Sequence, residues 1–349
     1  MTSRALILAG IILLGAQTPA AGHQRFEWRN LPDLPQALGG QFVGVVHGHL
    51  VVAGGSYFTK PPWDGGKKQW VDTIYTLGRH DQQWRLSGHL PSPLGYGASI
   101  TTLLGMLCIG GETPAGNSKQ VLRLQWRGNR IVIHRLADLP ETTANLAGAL
   151  AGDTVYVAGG QANPKSTQAL HTFWSLSLAK PDARWQTLPA WPGPPRILPA
   201  MAVAGSSIYL IGGADLTGTP GPPAGRKYLA DAYRYSPRQG WHKIADVPQP
   251  SVAGVAAPTD NKLLVFGGDD GSLYMKQFEI KDRHPGYSRA IYEFDPTTGR
   301  WSTAGHMPAS LVTTGLAVWN QQFVIAGGED RPGHRSPRVL AGQFSTGGR

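Results

Sequence analysis

Short apolar strands separated by turn residues run along the whole chain, and six of these strands end in a Gly-Gly pair. The six segments are LVVAGG, LCIGG, VYVAGG, IYLIGG, LLVFGG and FVIAGG, ending at Gly55, Gly111, Gly160, Gly213, Gly268 and Gly328. Their first glycines are 56, 49, 53, 55 and 60 residues apart. Each repeat unit therefore has the length of one small antiparallel sheet.

A tryptophan or histidine stands 25 to 27 residues before the first glycine of every pair. These markers are Trp28, Trp84, His134, Trp185, Trp241 and Trp301. Each marker opens a short strand, and a proline-bearing segment, a tight turn and the Gly-Gly strand follow it. Four short strands per unit, with no helical period longer than a turn, predict one propeller blade per unit. We expect the tryptophans to pack between blades and the glycines to serve a crowded channel.

The order of the markers predicts how the ring closes. The chain starts with an outer-strand segment at 26–34, and its last strand, 338–344, has no tryptophan segment after it. The N-terminal strand should therefore complete the last blade and cover its open edge. The residues resemble kelch repeats, whose signature is four apolar residues, Gly-Gly, a spaced aromatic and a spaced Trp. We predict an all-β fold, a six-bladed kelch-type β-propeller formed as a single domain by residues 23–349.

Residues 1–22 have the features of a secretory signal peptide. Arg4 precedes an apolar stretch of about a dozen residues, too short to span a bilayer, for which about 20 are needed. A signal anchor is the alternative. The only cysteine is Cys108, in an apolar strand, so no disulfide can form within the chain. We expect an exported, periplasmic protein with no membrane insertion after signal removal.

The formal charge of +10 falls to +9 without residues 1–22, which contain one arginine and no acid. The basic residues do not cluster and do not alternate with aromatics, which argues against a nucleic-acid partner. A basic field instead favours an acidic small molecule. A homodimer is compatible with these features.

Candidate chemistry is expected on the face where the loops after Gly-Gly open, because these loops are long and those on the opposite face are short. Glu112 and Glu329 follow their Gly-Gly pairs directly, and Arg331 and Arg335 share the loop of Glu329. Arg196 precedes a first strand on the same face and could either bind a carboxylate or form a structural pair. Asp215, Asp269 and Asp270 occupy similar places, so an acid there is often only a loop acceptor.

Metal and cofactor chemistry find little support in the sequence. The 11 histidines are scattered, and no HExxH or paired-cysteine spacing occurs. No GxSxG element or phosphate-binding loop is present either. We expect no metal and no cofactor.

The loop PPWDGGKK after Gly55 makes the pattern more specific than kelch in general. Together with IGGETPAG and GGEDRPGHR, it resembles the cyclically permuted mutarotase family of kelch proteins, which is related to N-acetylneuraminate epimerase. The resemblance covers essentially the whole mature chain. It implies catalytic roles for Glu329 and Arg335, and substrate contacts from Arg196, Glu112, Trp63 and Lys67.

The resemblance implies a sugar mutarotase that interconverts anomers of N-acetylneuraminate or a related acidic sugar by acid/base ring opening. The chain has Ser56 and Tyr57 where relatives often have Ala-Asn, which leaves the exact sugar open. The alternative is a non-enzymatic exported kelch module that binds a glycan or a protein partner on the same face.

Overall fold

Short antiparallel strands make up almost all of the computed structural model, which describes residues 26–180, 182–219 and 225–345. Six four-stranded sheets follow one another along the chain. The first strands of consecutive sheets lie side by side, and the first strand of the last sheet lies beside that of the first sheet. The predicted six-bladed propeller is therefore confirmed. The predicted signal peptide, residues 1–22, lies outside the described residues.

The blades are numbered in chain order, with strands given from the centre of the ring outward. Blade 1 contains the strands Phe42–Val46, His49–Ala53, Thr73–Leu77 and Arg85–His89. Blade 2 contains Ala98–Thr102, Gly105–Ile109, Val121–Arg127 and Arg130–Arg135. Blade 3 contains Ala147–Ala151, Thr154–Ala158, Phe173–Ser177 and Gln186–Thr187.

The second half of the ring repeats the same order. Blade 4 contains Ala200–Ala204, Ser207–Ile211, Ala232–Ser236 and Gly240–Ile244. Blade 5 contains Val255–Pro258, Leu263–Gly268, Ser288–Asp295 and Arg300–His306. Blade 6 contains Gly315–Trp319, Gln322–Ala326, Val339–Phe344 and Phe26–Leu31. The N-terminal strand Phe26–Leu31 thus pairs antiparallel with Val339–Phe344 and closes the ring, as predicted.

The described residues form seven hydrophobic clusters, six of which lie between two neighbouring blades, while the seventh joins residues of blades 4, 5 and 6. Leu50, Val52 and Trp84 of blade 1, for example, pack against Val324 and Val339 of blade 6. Both faces of a blade are therefore covered, which is why the second strands are continuous apolar runs rather than alternating ones.

The marker tryptophans hold consecutive blades together by hydrogen bonds. The indole Nε1 of Trp84 donates to the carbonyl oxygen of Pro32 over 2.8 Å, and Trp185, Trp241, Trp301 and Trp28 make the same kind of bond to the preceding blade. In blade 2 the marker is His134, and its buried Nε2 has no partner in the described part of the chain. The expected packing role of the tryptophans is confirmed.

The Gly-Gly pairs need glycine for two reasons, which the last pair illustrates. Gly327 and Gly328 have φ angles of 68° and 114°, which L side chains rarely adopt. A Cβ atom on Gly328 would also lie 2.6 Å from the carbonyl oxygen of Val312. Each Gly-Gly pair thus lets the chain turn sharply and leaves room for a neighbouring backbone segment, from the same blade or the next one, to pack against it.

A closed ring of backbone hydrogen bonds surrounds the propeller axis. One residue from each blade donates its N–H to the carbonyl oxygen of the residue one blade before it, over 2.6 to 3.1 Å. The six residues are Gly40, Tyr96, Asn145, Leu198, Ala253 and Thr313. All six have φ between 51° and 71°. The closed ring compensates for this unfavourable backbone conformation and forms a rigid base below the loops.

Short hairpins after the Gly-Gly pairs rise above this ring and form the mouth of the propeller. They pair Ser56–Phe58 with Lys68–Trp70, Glu112–Thr113 with Gly116–Asn117, Ala214–Leu216 with Arg226–Tyr228, and Glu329–Arg331 with His334–Arg335. The loop of blade 5 instead contains short helices at Tyr274–Lys276, Gln277–Ile280 and Lys281–Arg283, and a further 3-10 turn lies at Pro62–Asp64. Among the described residues, no helix has the length and apolar character required to cross a membrane.

Candidate active site

Glu329 is the first residue after the last Gly-Gly pair and is fixed at both its backbone and its side chain. Its N–H and C=O groups form a bridge with Val312, and its hairpin places Arg335 directly opposite. Glu329 Oε2 lies 2.9 Å from Arg335 Nη1. Oε1 accepts a hydrogen bond of 2.6 Å from the N–H of Gly333. Both carboxylate oxygens of Glu329 thus face hydrogen-bond donors.

Arg335 connects Glu329 to the first two blades. Its Nη2 donates to the hydroxyl of Tyr96 over 2.8 Å, and that hydroxyl also lies 2.6 Å from Ser56 Oγ. The guanidinium group lies 4.9 Å from the ring centre of Phe58. A Cβ atom on Gly39 would lie 2.6 Å from Arg335 Nη1, so a glycine is needed there. The side chain of Arg335 is therefore held in one place.

The charge of Arg335 is maintained in this setting. Burial, the largest single influence, would by itself lower the pKa of Arg335. The charge of Glu329, the electrostatic effects of Tyr96 and Tyr287 and the hydrogen bond with Glu329 together outweigh it, so the pKa of Arg335 lies above its ordinary value. The Nε atom of Arg335 has no hydrogen-bond partner among residues 26–345 as described. A permanently charged donor therefore stands beside the carboxylate of Glu329.

A cavity of about 270 Å³ opens beside Glu329 between blades 4, 5 and 6. We call it the mouth cavity. Its polar lining residues are Arg226, Asp269, Tyr274, Gln277, Tyr287, Thr313 and Glu329. The base is formed in part by Leu198, Ala253 and Thr313 of the hydrogen-bonded ring. The cavity thus combines two carboxylates, a guanidinium group and two phenols, and such convergent polar groups in a concave site are typical of a ligand-binding site.

Tyr287 lies close to both carboxylates of the mouth cavity. Burial, followed by the negative charges of Glu329 and Asp269, raises the pKa of Tyr287 well above its ordinary value. The phenol therefore stays protonated and can donate a hydrogen bond to a hydroxyl or carbonyl oxygen bound in the cavity.

Asp269 occupies in blade 5 the place that Glu329 occupies in blade 6. Its backbone forms the equivalent bridge, here with Val252. Its carboxylate accepts hydrogen bonds from the Tyr228 hydroxyl over 2.6 Å and from the Gly271 N–H over 3.0 Å. Burial raises the pKa of Asp269, while these two hydrogen bonds act in the opposite direction.

Glu112 lies on the other side of the mouth, in blade 2, and forms an ion pair of 3.0 Å with Lys68. The Lys68 Nζ also lies 4.4 Å from the ring centre of Tyr96. The expected substrate contact, Lys67, is exposed, and its backbone pairs with Thr59. Side chains alternate along a strand, so in this hairpin Lys68 rather than Lys67 faces inward. Trp63 packs near Gly333, beside the hairpin of Glu329.

Arg196 does not face the mouth cavity. Its side chain is fully buried, and its two Nη atoms contact the two carboxylate oxygens of Asp231 over 3.0 and 2.9 Å. The remaining donors bind the carbonyl oxygens of Gly212 and Pro194. Because every N–H group is used within the fold, the geometry favours a structural pair with Asp231 over the expected role in substrate binding.

Four residues of this region escaped the sequence analysis as candidates: Lys68, Tyr96, Arg226 and Tyr287. Tyr96 stands at the ring position where the other blades carry Gly40, Asn145, Leu198, Ala253 and Thr313, so an alignment of the six units would have shown an unusual aromatic there. Within the described ranges, no group of three or more His, Cys, Asp or Glu residues is arranged to hold a metal ion.

Comparison with known proteins places this geometry in a family. The family model of N-acetylneuraminate epimerase matches residues 4–133 and 136–282. The chain belongs to the N-acetylneuraminate epimerase family. It is 27% identical over 235 residues to N-acetylneuraminate epimerase of Haemophilus influenzae (strain PittEE), covering 60% of each chain. It is 34% identical over 158 residues to that of Yersinia pestis (strain Pestoides F), covering 38% of this chain and 40% of the relative.

The chain is also similar in fold to a solved structure, that of YjhT. The TM-score is 0.66 at 16% sequence identity, covering 89% of this chain and 96% of that chain. The sequence match spans about 60% of the length of the Haemophilus relative. The similarity to YjhT therefore concerns the propeller fold, and the match to the epimerases concerns the family.

Proposed function

We propose that this protein is an isomerase that interconverts the α and β anomers of N-acetylneuraminate or a related acidic sugar. The observation that carries the proposal is the pair of Glu329, which lines the mouth cavity, and Arg335 behind it, with the carboxylate at 2.9 Å from the guanidinium group. The relatives named as N-acetylneuraminate epimerases support the choice of substrate.

Mutarotation requires a base at the anomeric hydroxyl and an acid at the ring oxygen, and it needs no cofactor. Glu329 is suited to the base because its two oxygens are held by Arg335 and Gly333. Such a positioned carboxylate contributes roughly 10² to 10⁴ to the rate. Arg335 positions this carboxylate and supplies positive charge beside the oxygen that becomes negative during ring opening.

Arg226 is the group that we propose to bind the carboxylate of the sugar. It lines the mouth cavity, and its guanidinium group lies 5.2 Å from the ring centre of Tyr274. Among the described residues it forms no ion pair, and its Nε has no hydrogen-bond partner. With its Nε unpartnered, this guanidinium group suits a carboxylate better than that of Arg196, whose donors are all engaged.

The test is an NMR measurement of anomer exchange in N-acetylneuraminate with wild type, Glu329→Gln and Asp330→Asn. Asp330 is the matched control because it is the adjacent acid of the same hairpin, contacts His334 and does not line the mouth cavity. We expect acceleration by wild type and by Asp330→Asn, and a loss of roughly 10² to 10⁴ in Glu329→Gln. Wild type that does not accelerate the exchange over buffer would refute the proposal.

A second pair of variants tests the carboxylate contact. We expect Arg226→Met to raise KM for N-acetylneuraminate by at least tenfold, and the adjacent, exposed Lys227→Met to leave KM unchanged. If the wild type binds N-acetylneuraminate without accelerating the exchange, the protein is a glycan-binding module instead.

We also propose that the protein works in the periplasm. The support is the short apolar stretch within residues 1–22. Detection of the protein in a periplasmic extract of the producing cells, shortened by about 22 residues, is the result expected.

A further inference from the structure

We propose that Asp269 is the second acid–base group of this site and protonates the ring oxygen of the sugar while Glu329 acts on the anomeric hydroxyl. The inference rests on the proposed function. It starts from the symmetry of the fold: Asp269 and Glu329 are each the first residue after a Gly-Gly pair, in the neighbouring blades 5 and 6. Their backbones form equivalent bridges with Val252 and Val312, so the two residues stand at the same level of the mouth.

Among the six residues at this repeat position, Asp269 and Glu329 are the two that line the mouth cavity. The others are Ser56, Glu112, Gln161 and Ala214. Glu112 is the remaining acid, and its ion pair with Lys68 engages it elsewhere. A sugar in the mouth cavity therefore meets two carboxyl groups from adjacent blades. Ring opening needs two such groups, because one proton leaves the anomeric hydroxyl and another is added to the ring oxygen.

The two carboxyl groups have different surroundings, which suits one of them to act as a base and the other as an acid. The Glu329 carboxylate has a guanidinium group at 2.9 Å. Among the described residues Asp269 forms no salt bridge: its hydrogen-bond partners are the Tyr228 hydroxyl and the Gly271 N–H, and Arg226 acts on it only as a more distant charge. Burial raises the pKa of Asp269, which favours the protonated form relative to an exposed aspartate. Two carboxyl groups in unlike environments can thus serve as base and acid in one cavity.

Tyr228 positions Asp269. Its ring packs so closely on Gly271 that a Cβ atom there would lie 2.6 Å away. Burial, and then the charge of Asp269, raise the pKa of Tyr228 far above its ordinary value, so its hydroxyl remains a donor. The titratable and charged groups around Asp269 are Arg226, Tyr228, Asp270, Tyr274, His284 and Tyr287.

The step balances without any further reactant. Glu329 takes the proton of the anomeric hydroxyl, whose C–O bond becomes a carbonyl, while the ring C–O bond breaks and its electron pair goes to the ring oxygen. The ring oxygen takes the proton of Asp269. After rotation about the bond next to the carbonyl carbon, the same hydroxyl attacks from the other face. It returns its proton to Asp269, and Glu329 returns its own to the carbonyl oxygen.

The test compares Asp269→Asn with Asp270→Asn in the NMR exchange assay, with binding of N-acetylneuraminate measured by calorimetry. Asp270 is the adjacent acid and does not line the mouth cavity; it binds Gln249 and Ser272. We expect Asp269→Asn to lose roughly 10² to 10⁴ of the catalysed rate while its Kd changes less than fivefold. Asp270→Asn should stay within threefold of wild type.

Tyr228→Phe supplies a second, independent readout. Removing the hydrogen bond from Tyr228 raises the pKa of Asp269 further, since that bond favours the charged form. If Asp269 acts as the acid, its protonated, active form persists to higher pH. The alkaline limb of the profile of kcat/KM against pH should therefore shift to higher pH.

The outcomes separate the two proposals. If wild type shows no exchange activity, the proposed function fails and the role of Asp269 falls with it. If wild type is active but Asp269→Asn retains its rate within threefold, the proposed function stands and the role of Asp269 is overturned. An unchanged alkaline limb in Tyr228→Phe, or a shift of the acid limb instead, also overturns the assignment of Asp269 as the acid.

Discussion

Replacing Arg196 by methionine tests whether this arginine is structural or binds substrate. Its guanidinium group is fully buried between the rings of Trp191 and Tyr233, at 5.2 and 5.3 Å from their centres. Both oxygens of Asp231 depend on it. Methionine fills a similar volume but leaves the Asp231 carboxylate with the Tyr233 hydroxyl, at 2.6 Å, as its remaining side-chain partner.

The expected loss of stability is set by the Asp231 carboxylate, which remains when Arg196 is replaced. Removing one partner of a buried ion pair costs about 3–5 kcal/mol, because the other charge remains away from water without compensation. Asp231 is nearly buried, with 14% of its side chain exposed, so the full range applies. The double variant Arg196→Met, Asp231→Asn removes that charge and should recover part of the loss.

The assay is urea unfolding followed by tryptophan fluorescence, combined with the NMR exchange assay below the unfolding transition. We expect the free energy of unfolding to fall by about 3–5 kcal/mol, with KM for N-acetylneuraminate within twofold of wild type. A stability loss below about 1 kcal/mol together with a tenfold rise in KM would show that Arg196 binds substrate, and would refute this reasoning.

Two further predictions concern stability. Trp241→Phe removes the indole hydrogen bond of 3.0 Å to the Pro189 carbonyl and should lower the free energy of unfolding by about 1 kcal/mol. His134→Trp should raise the free energy of unfolding, because His134 Nε2 has no hydrogen-bond partner among the described residues. Equal urea midpoints for wild type and the two variants would contradict this. Burial lowers the pKa of His284 below 6.5 in the folded protein. His284 therefore binds a proton more readily in the unfolded chain than in the folded one. Stability should therefore fall as the pH drops below about 6.5, by at most about 1.4 kcal/mol per pH unit for this proton, and less steeply in His284→Gln, as urea unfolding between pH 7 and 5 would measure.

The sequence was enough to predict which residues lie at the mouth of the propeller, but not which side chains contact one another there. The position of Glu329 after a Gly-Gly pair located it at the mouth, and its hairpin pairs it with Arg335, only six positions further along the chain. The bond from Arg335 to Tyr96 instead joins residues 239 apart in sequence. The choice between Lys67 and Lys68 depended on the register of a hairpin, because a shift of one residue exchanges the two faces of a strand.

The sequence by itself determined the six-bladed ring and its closure by Phe26–Leu31, because strand pairing within each unit and the glycine and tryptophan positions recur at short, regular spacing. The tertiary structure alone decided which charged residues are free for chemistry. The sequence pointed to Arg196, whose donors are taken up by Asp231 and backbone carbonyl oxygens, whereas Arg226, which escaped the sequence analysis, lines the mouth cavity. A charge is assigned to stability or to function by its neighbours in space, and those neighbours can lie far away in sequence, as Asp231 lies 35 residues from Arg196.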